Sequence, residues 1–216
     1  MKKVEKHEKI VLINDGAKII EGALTIPKEA NGIVVFAHGS GSSRYSVRNN
    51  YVAASIRKHN LATFLLDLLT PEEDGDYAKR FDINLLAHRL SLVTKWLKEQ
   101  PDTKNLKIGY FGASTGAAAA IQSAADNMNM IYAIVSRGGR PDLAMSYLDK
   151  ISCPTLFIVG GNDEIVIELN KKAYNKLKCD KKLEIVKGAT HLFEEQGTLE
   201  QVAILAEQWF KKYLAI

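Results

Sequence analysis

The stretch Lys107-Ile108-Gly109-Tyr110-Phe111-Gly112-Ala113-Ser114-Thr115-Gly116, running on into Ala117-Ala118-Ala119-Ala120, decides how the rest of the chain is read. Lys107–Phe111 predicts a short strand and Ser114–Ala125 a helix of small residues. The Gly-x-Ser-x-Gly between them has mechanical meaning in that context. A turn this sharp leaves no room for large neighbours, so Gly112 and Gly116 remove the side chains that would clash. Ser114 is then expected in a strained backbone conformation with its hydroxyl exposed. That hydroxyl sits at a helix N-terminus, where backbone N–H groups and the helix dipole favour developing negative charge.

Two segments further on supply partners. Gly160-Gly161-Asn162-Asp163 follows the apolar run Thr155–Val159, and Gly188-Ala189-Thr190-His191 follows the alternating run Leu183–Lys187. Each places a candidate residue in a loop just past a predicted strand. The chain order is Ser, Asp, His, as in α/β-hydrolases. A serine hydroxyl is a poor nucleophile at neutral pH and needs a base within hydrogen-bond reach. An imidazole has the right pKa, and a carboxylate on its other nitrogen fixes the tautomer. Ser114, His191 and Asp163 are the candidates for these roles, with Glu164 as a rival to Asp163.

The flanking pattern supports one fold. Lys9–Ile13 and Lys18–Ile26 read as strands joined by the hairpin signal Asn14-Asp15-Gly16. Gly32–Ala37 and Leu61–Leu66 are continuous apolar runs, as expected of strands buried on both faces. Helices are expected over Asn49–His59, Asp82–Gln100, Ile165–Lys178 and Leu199–Tyr213, with a short one near Leu143–Leu148. Thr70–Arg80 reads as a loop. Ile131–Val135 completes the strands. An opening hairpin followed by strand–helix repeats predicts α/β architecture: a mostly parallel sheet of about eight strands with helices on both faces. The short connection from Ile131–Val135 to Thr155–Val159 leaves little room for a lid domain, so the site is expected to be open.

The 216 residues suit a single domain spanning 1–216, and no linker or repeat is evident. A hydrophobic fraction of 46% and a charged fraction of 25% are those of an ordinary globular protein. The net charge of +4 comes from scattered lysines without interleaved aromatics, which speaks against a nucleic-acid partner. No apolar run approaches the roughly 18 residues of a membrane span, and the basic N-terminus lacks the features of a secretory signal. Cys153 and Cys179 match no metal or redox spacing and read as thiols of a reducing, cytoplasmic compartment.

Acyl transfer also needs donors for an oxyanion. The backbone N–H of Thr115 is one candidate. The loop His38-Gly39-Ser40-Gly41-Ser42-Ser43 should supply the second, from Ser40 or alternatively Gly39, with His38 as a structural brace. These four motifs together, including the Ala189-Thr190-His191-Leu192-Phe193 segment, resemble an α/β-hydrolase of the dienelactone hydrolase-like family. The likeness runs from about Lys9 to Tyr213. It implies a carboxylic-ester hydrolase without metal or organic cofactor. Dienelactone hydrolases proper carry a cysteine in the elbow, whereas this chain has Ser114, which points to a serine esterase or thioesterase relative. The expected partner is a small-molecule ester or thioester, and a monomer or a homodimer would serve.

Four loop arginines lie near the expected C-terminal sheet edge, where open α/β sheets bind ligands. Arg137 first, and Arg44, are candidates for binding an anionic part of the substrate. Arg48 and Arg140 share the neighbourhood. The competing reading is a loop-bracing salt bridge with Asp67, Glu72, Glu73 or Asp142. Other functions remain: a non-catalytic binding or scaffold protein on the same fold, or a peptidase or amidase with the same triad. A nucleotide-binding protein is disfavoured, because Gly39-Ser40-Gly41 lacks the lysine and spacing of a phosphate loop.

Overall fold

The computed structural model describes residues 8–215; the expectation about the N-terminal segment falls largely on residues 1–7, outside the described residues. The apolar runs become the inner strands of one sheet. Strands β1 (Glu8–Asp15), β2 (Lys18–Thr25), β3 (Gly32–Ala37), β4 (Leu61–Leu66), β5 (Lys107–Ala113), β6 (Ile131–Arg137), β7 (Thr155–Gly160) and β8 (Lys181–Val186) lie in the order β1-β2-β4-β3-β5-β6-β7-β8. The β1–β2 hairpin joins β4 antiparallel, and every later pairing is parallel. β3, β4 and β7 are buried along their whole length. Burial on both faces is why they read as unbroken hydrophobic runs rather than alternating ones.

The helices divide between the two faces. Helices α1 (Val47–Arg57) and α6 (Thr198–Leu214) pack over Val34, Phe36, Phe111 and Leu156 on one side. Helices α3 (Ile83–Glu99), α4 (Thr115–Asp126) and α5 (Glu164–Lys176) cover Ile33, Val35, Ile108 and Phe157 on the other. Helix α4 is the most enclosed, and Ala117–Ala120 are fully buried. Small side chains there let the helix axis come close to the sheet, where larger ones would overpack.

Some boundaries differ from the sequence reading. Helix α1 starts two residues early because Ser46 caps it, its hydroxyl accepting from the Asn49 N–H. The predicted loop Thr70–Arg80 contains the one-turn helix α2 (Pro71–Asp74), closed by a capping box between Thr70 and Glu73, and a 3₁₀ turn at Lys79–Phe81. The β6–β7 connection holds only a kinked 3₁₀ segment, Pro141–Lys150, and no inserted domain. The site edge of the sheet is therefore open.

The α2 segment is anchored by a buried cation. Arg89 of α3, almost fully enclosed, sits 2.9 Å from the Asp15 carboxylate and 3.0 Å from that of Glu73. The other Glu73 oxygen accepts from the Thr70 N–H at 3.0 Å. One guanidinium thus ties the hairpin end to the segment bordering the oxyanion-type loop. Removing one partner of a buried pair strands the other charge, which is more damaging than losing the attraction. Arg89→Leu is expected to lower unfolding stability by about 3–5 kcal/mol in urea titrations. Arg89→Leu with Glu73→Gln should regain part of that loss; equal destabilisation by the single and double variants would contradict it.

Candidate active site

Ser114 joins β5 to α4 with φ of +50° and ψ of −119°, a region costly for any residue with a side chain. The conformation is over-determined by its surroundings. The Ser114 N–H donates to the Arg137 carbonyl at 3.2 Å, and the Ser114 carbonyl accepts from Ala117 and Arg140 N–H groups at 3.1 Å each. A Cβ on Gly112 would meet the Ala117 backbone at 2.5 Å, and one on Gly116 would meet the Ala37 carbonyl at 2.3 Å. Only glycine admits that approach. The Ser114 hydroxyl caps no N–H of α4.

The second half of the site comes from the loops after β7 and β8. The Asn162 N–H donates to the Ala189 carbonyl at 2.9 Å, and the Asn162 side-chain amide donates to the Gly188 carbonyl at 3.0 Å. These bonds clamp one loop on the other. They set His191 Nδ1 at 2.7 Å from Asp163 Oδ2, with the Asp163 carboxylate largely shielded and the imidazole about a third exposed. Asp163 therefore takes the position for which Glu164 was the rival; Glu164 is exposed at the start of α5. Ser114 and His191 share Gly138 as a neighbour. Gly138 follows Arg137, whose carbonyl holds Ser114, and a Cβ on it would lie 3.4 Å from His191 Cε1. Glu195, which the sequence reading passed over, accepts from the Thr190 N–H at 3.1 Å and from the Thr190 hydroxyl at 2.6 Å, bracing the His191 loop. Its only sequence signal is a carboxylate a few residues past the histidine.

The loop after β3 lies against the elbow. A Cβ on Gly39 would stand 3.1 Å from Ser114 Cβ. Ser40 and Thr115 are brought together, but the Ser40 N–H points at the Thr115 hydroxyl, 2.9 Å away, rather than into open space. A shallow depression borders Gly39, Ser40 and Thr115, with Leu69 and Leu86 as apolar wall. His38 is buried; Nδ1 donates to the Gly39 carbonyl at 2.9 Å and Nε2 accepts from the Leu68 N–H at 3.0 Å. Those two bonds require the neutral Nδ1–H tautomer, and His38 braces the loop to the segment after β4.

The arginines have different fates. Arg44 is engaged inside the protein: its guanidinium meets the Asp67 carboxylate, Glu21 at 2.7 Å and the Tyr45 hydroxyl at 2.7 Å. This is the loop-bracing arrangement rather than a free substrate contact, because carboxylates from β2 and the end of β4 converge on it. Arg140 forms a two-point pair with Asp142, both contacts 2.8 Å. Arg48 pairs with Glu194 at 2.9 Å. Arg137 is buried with no carboxylate partner among the described residues; the one hydrogen bond of its guanidinium is a long one, 3.5 Å, to the Asn49 side-chain oxygen. Among the described residues no group of three or more His, Cys, Asp or Glu side chains is arranged to hold a metal, and no helix is long and apolar enough to cross a membrane.

An eight-stranded, mostly parallel sheet with a serine elbow at its centre and an open C-terminal edge is an α/β-hydrolase fold. The sequence profile of the dienelactone hydrolase family matches residues 20–214, and the chain belongs to that family. The crystal structure of a dienelactone hydrolase from Anabaena variabilis is 52% identical and superposes with a TM-score of 0.94, over 97% of this chain and 99% of that one. Est1E from Butyrivibrio proteoclasticus, at 16% identity, has the same fold with a TM-score of 0.81, over 94% of this chain and 98% of its own. Two curated Mycobacterium tuberculosis proteins, provisionally named phosphoribosyl transferases, are 57% identical over 195 residues. That alignment takes in 90% of this chain but 44% of each relative, so the chain spans less than half of their length.

Burial of His38 has a consequence for stability. Burial, opposed by its bond to Gly39, holds its pKa below the ordinary 6.5. Below that pH the unfolded chain takes up a proton that the folded protein refuses, so stability present above pH 6.5 is lost as pH falls. One such proton contributes a slope of up to about 1.4 kcal/mol per pH unit. In urea titrations from neutral pH downward, His38→Gln should lack this increment, and identical slopes in the two proteins would exclude the neutral-imidazole assignment.

Proposed function

We propose that the chain is a serine hydrolase that cleaves a small carboxylic ester or thioester through an acyl-enzyme. The observation that carries this reading is the strained Ser114 at the N-terminus of α4, in a fold that also joins His191 Nδ1 to Asp163 at 2.7 Å. Nδ1 bonded to a carboxylate keeps its proton, so Nε2 is the basic nitrogen. Ser114 Oγ attacks the acyl carbon as Nε2 takes its proton. The Asp163 carboxylate stabilises the imidazolium without itself becoming protonated.

The tetrahedral oxyanion then lies at the first turn of α4. The Thr115 N–H is the first donor, aided by the helix dipole. The Ser40 N–H is the second, exchanging its bond to the Thr115 hydroxyl for one to the oxyanion. Nε2–H returns the proton to the departing alcohol or thiol. Water, deprotonated by Nε2, attacks the acyl carbon in the second half-reaction; the acyl–Oγ bond breaks, Nε2–H returns the proton to Ser114 Oγ, and the acid is released. No step draws on a metal or an organic cofactor.

Labelling with a fluorophosphonate serine probe and peptide mass mapping tests the nucleophile directly. Modification is expected at Ser114 in the wild type and is expected to vanish in His191→Ala. Asp163→Asn should lower kcat on an aryl ester by about 10⁴-fold, through the wrong tautomer at His191. Folded wild-type protein that resists the probe and hydrolyses no ester or thioester would turn the assignment toward a binding protein on this fold.

A further inference from the structure

Arg137 stands apart from the other site arginines. It ends β6 beside Ala113 of β5, and its carbonyl holds the Ser114 N–H at 3.2 Å. Its side chain runs under the loops of the site. The guanidinium reaches Asn49 in the first turn of α1 at 3.5 Å and lies 5.8 Å from the centre of the Phe193 ring, two residues past His191. It is therefore lodged between the helix that follows the oxyanion-type loop and the loop that carries the base. Arg137 is only 5% exposed.

A guanidinium in such a place needs an anion, and none of the described residues supplies one. Burial, with the nearby Arg48 charge, pulls its pKa down to about 10, which leaves it a cation at neutral pH. Arg48 adds positive potential instead of relieving it. Its Nε is itself buried without a hydrogen-bond partner, although the far end of its guanidinium reaches the exposed Glu194. The first turn of α1, which Arg137 reaches through Asn49, holds no acidic residue to offset the charge. By contrast, Arg44, Arg89 and Arg140 each face at least one carboxylate. An uncompensated buried charge is destabilising, and such groups gather where a ligand completes them.

We propose that Arg137, with the Arg48 Nε–H and the Asn49 side chain, forms an anion subsite beside Ser114, and that the ester or thioester substrate carries a carboxylate that docks there. This deepens the serine-hydrolase reading and rests on it for the word substrate; the subsite itself does not. A planar guanidinium suits a carboxylate through two parallel N–H contacts. Docking it supplies the missing countercharge and positions the scissile bond relative to Ser114.

The kinetic test compares two aryl esters of matched length, 4-nitrophenyl valerate and mono-4-nitrophenyl glutarate, with a butyrate ester whose leaving phenol carries a carboxylate as a third arm. The wild type should favour at least one anionic ester over the neutral one by about ten- to a hundred-fold in kcat/KM. Arg137→Gln should abolish that preference while still turning over the neutral ester, and Arg137→Lys should fall between. The arm that responds tells whether the carboxylate belongs to the acyl or the leaving group. A neutral-to-anionic ratio unchanged in Arg137→Gln would overturn the proposal.

A binding arm does not depend on turnover or on the folding of the Arg137 variants. Glutarate should raise the Tm of the Ser114→Ala protein, whereas 1,5-pentanediol should not; equal shifts, or none, would overturn the subsite. Glutarate binding without hydrolysis of any ester would keep the subsite and remove the hydrolase reading.

Discussion

Everything at the site depends on how closely the first turn of α4 approaches the end of β3. Gly116 lies under the Ala37 and His38 carbonyls with no space for a methyl group between them. Because β3 and β5 are adjacent and in register, Ala37 opposite Gly112, that contact sets the elbow directly beside the loop that follows β3. The strain at Ser114 is held by this contact and by the hydrogen bonds that its neighbours make around it. A packed interior transmits such a constraint because it cannot yield continuously.

The same economy of space governs the opposite side of the site. A Cβ on Gly160 would fall 2.5 Å from the Ala189 and Thr190 carbonyls, so the loops after β7 and β8 lie in contact where they leave the sheet. Parallel strands make this possible. Every βα loop emerges at one edge, and side chains distant in sequence converge there. Asp163 and His191 are brought to hydrogen-bonding distance by the clamp at Asn162 rather than by any attraction of their own. A hydrogen bond so exposed on one side contributes little as a stabiliser; its geometry matters more than its energy.

Charge is distributed unevenly around this edge. Arg44 and Arg140 are absorbed in bracing loops, and Arg89 holds the α2 segment from beneath. Those pairs stiffen the rim. Arg137 is different because it is buried while the described residues offer its guanidinium only an amide oxygen. Arg44, Arg89 and Arg140 meet carboxylates, whereas the guanidinium of Arg137 is left to an amide, which places a positive potential between α1 and the His191 loop. That potential suits any anion drawn into the cleft.

The strands and the serine elbow could be read from the chain because each depends on local rules. Gly32–Ala37 and Leu61–Leu66 are apolar throughout since both faces of a central parallel strand are covered, and Gly-x-Ser-x-Gly has few other uses between a strand and a helix. The capping box at Thr70–Glu73 was equally local, yet a one-turn helix is too short to show periodicity. Which carboxylate each arginine meets, and that the Ser40 N–H faces the Thr115 hydroxyl, could not be read in this way. Arg44 joins Asp67 and Glu21, each 23 residues away, and Ser40 joins Thr115 across 75. The sequence by itself determined the sheet, the elbow and the candidates for catalysis, since backbone sterics and burial act over a few residues. Only the tertiary structure decided which charges are paired, because long side chains take partners from whatever strand the fold sets beside them.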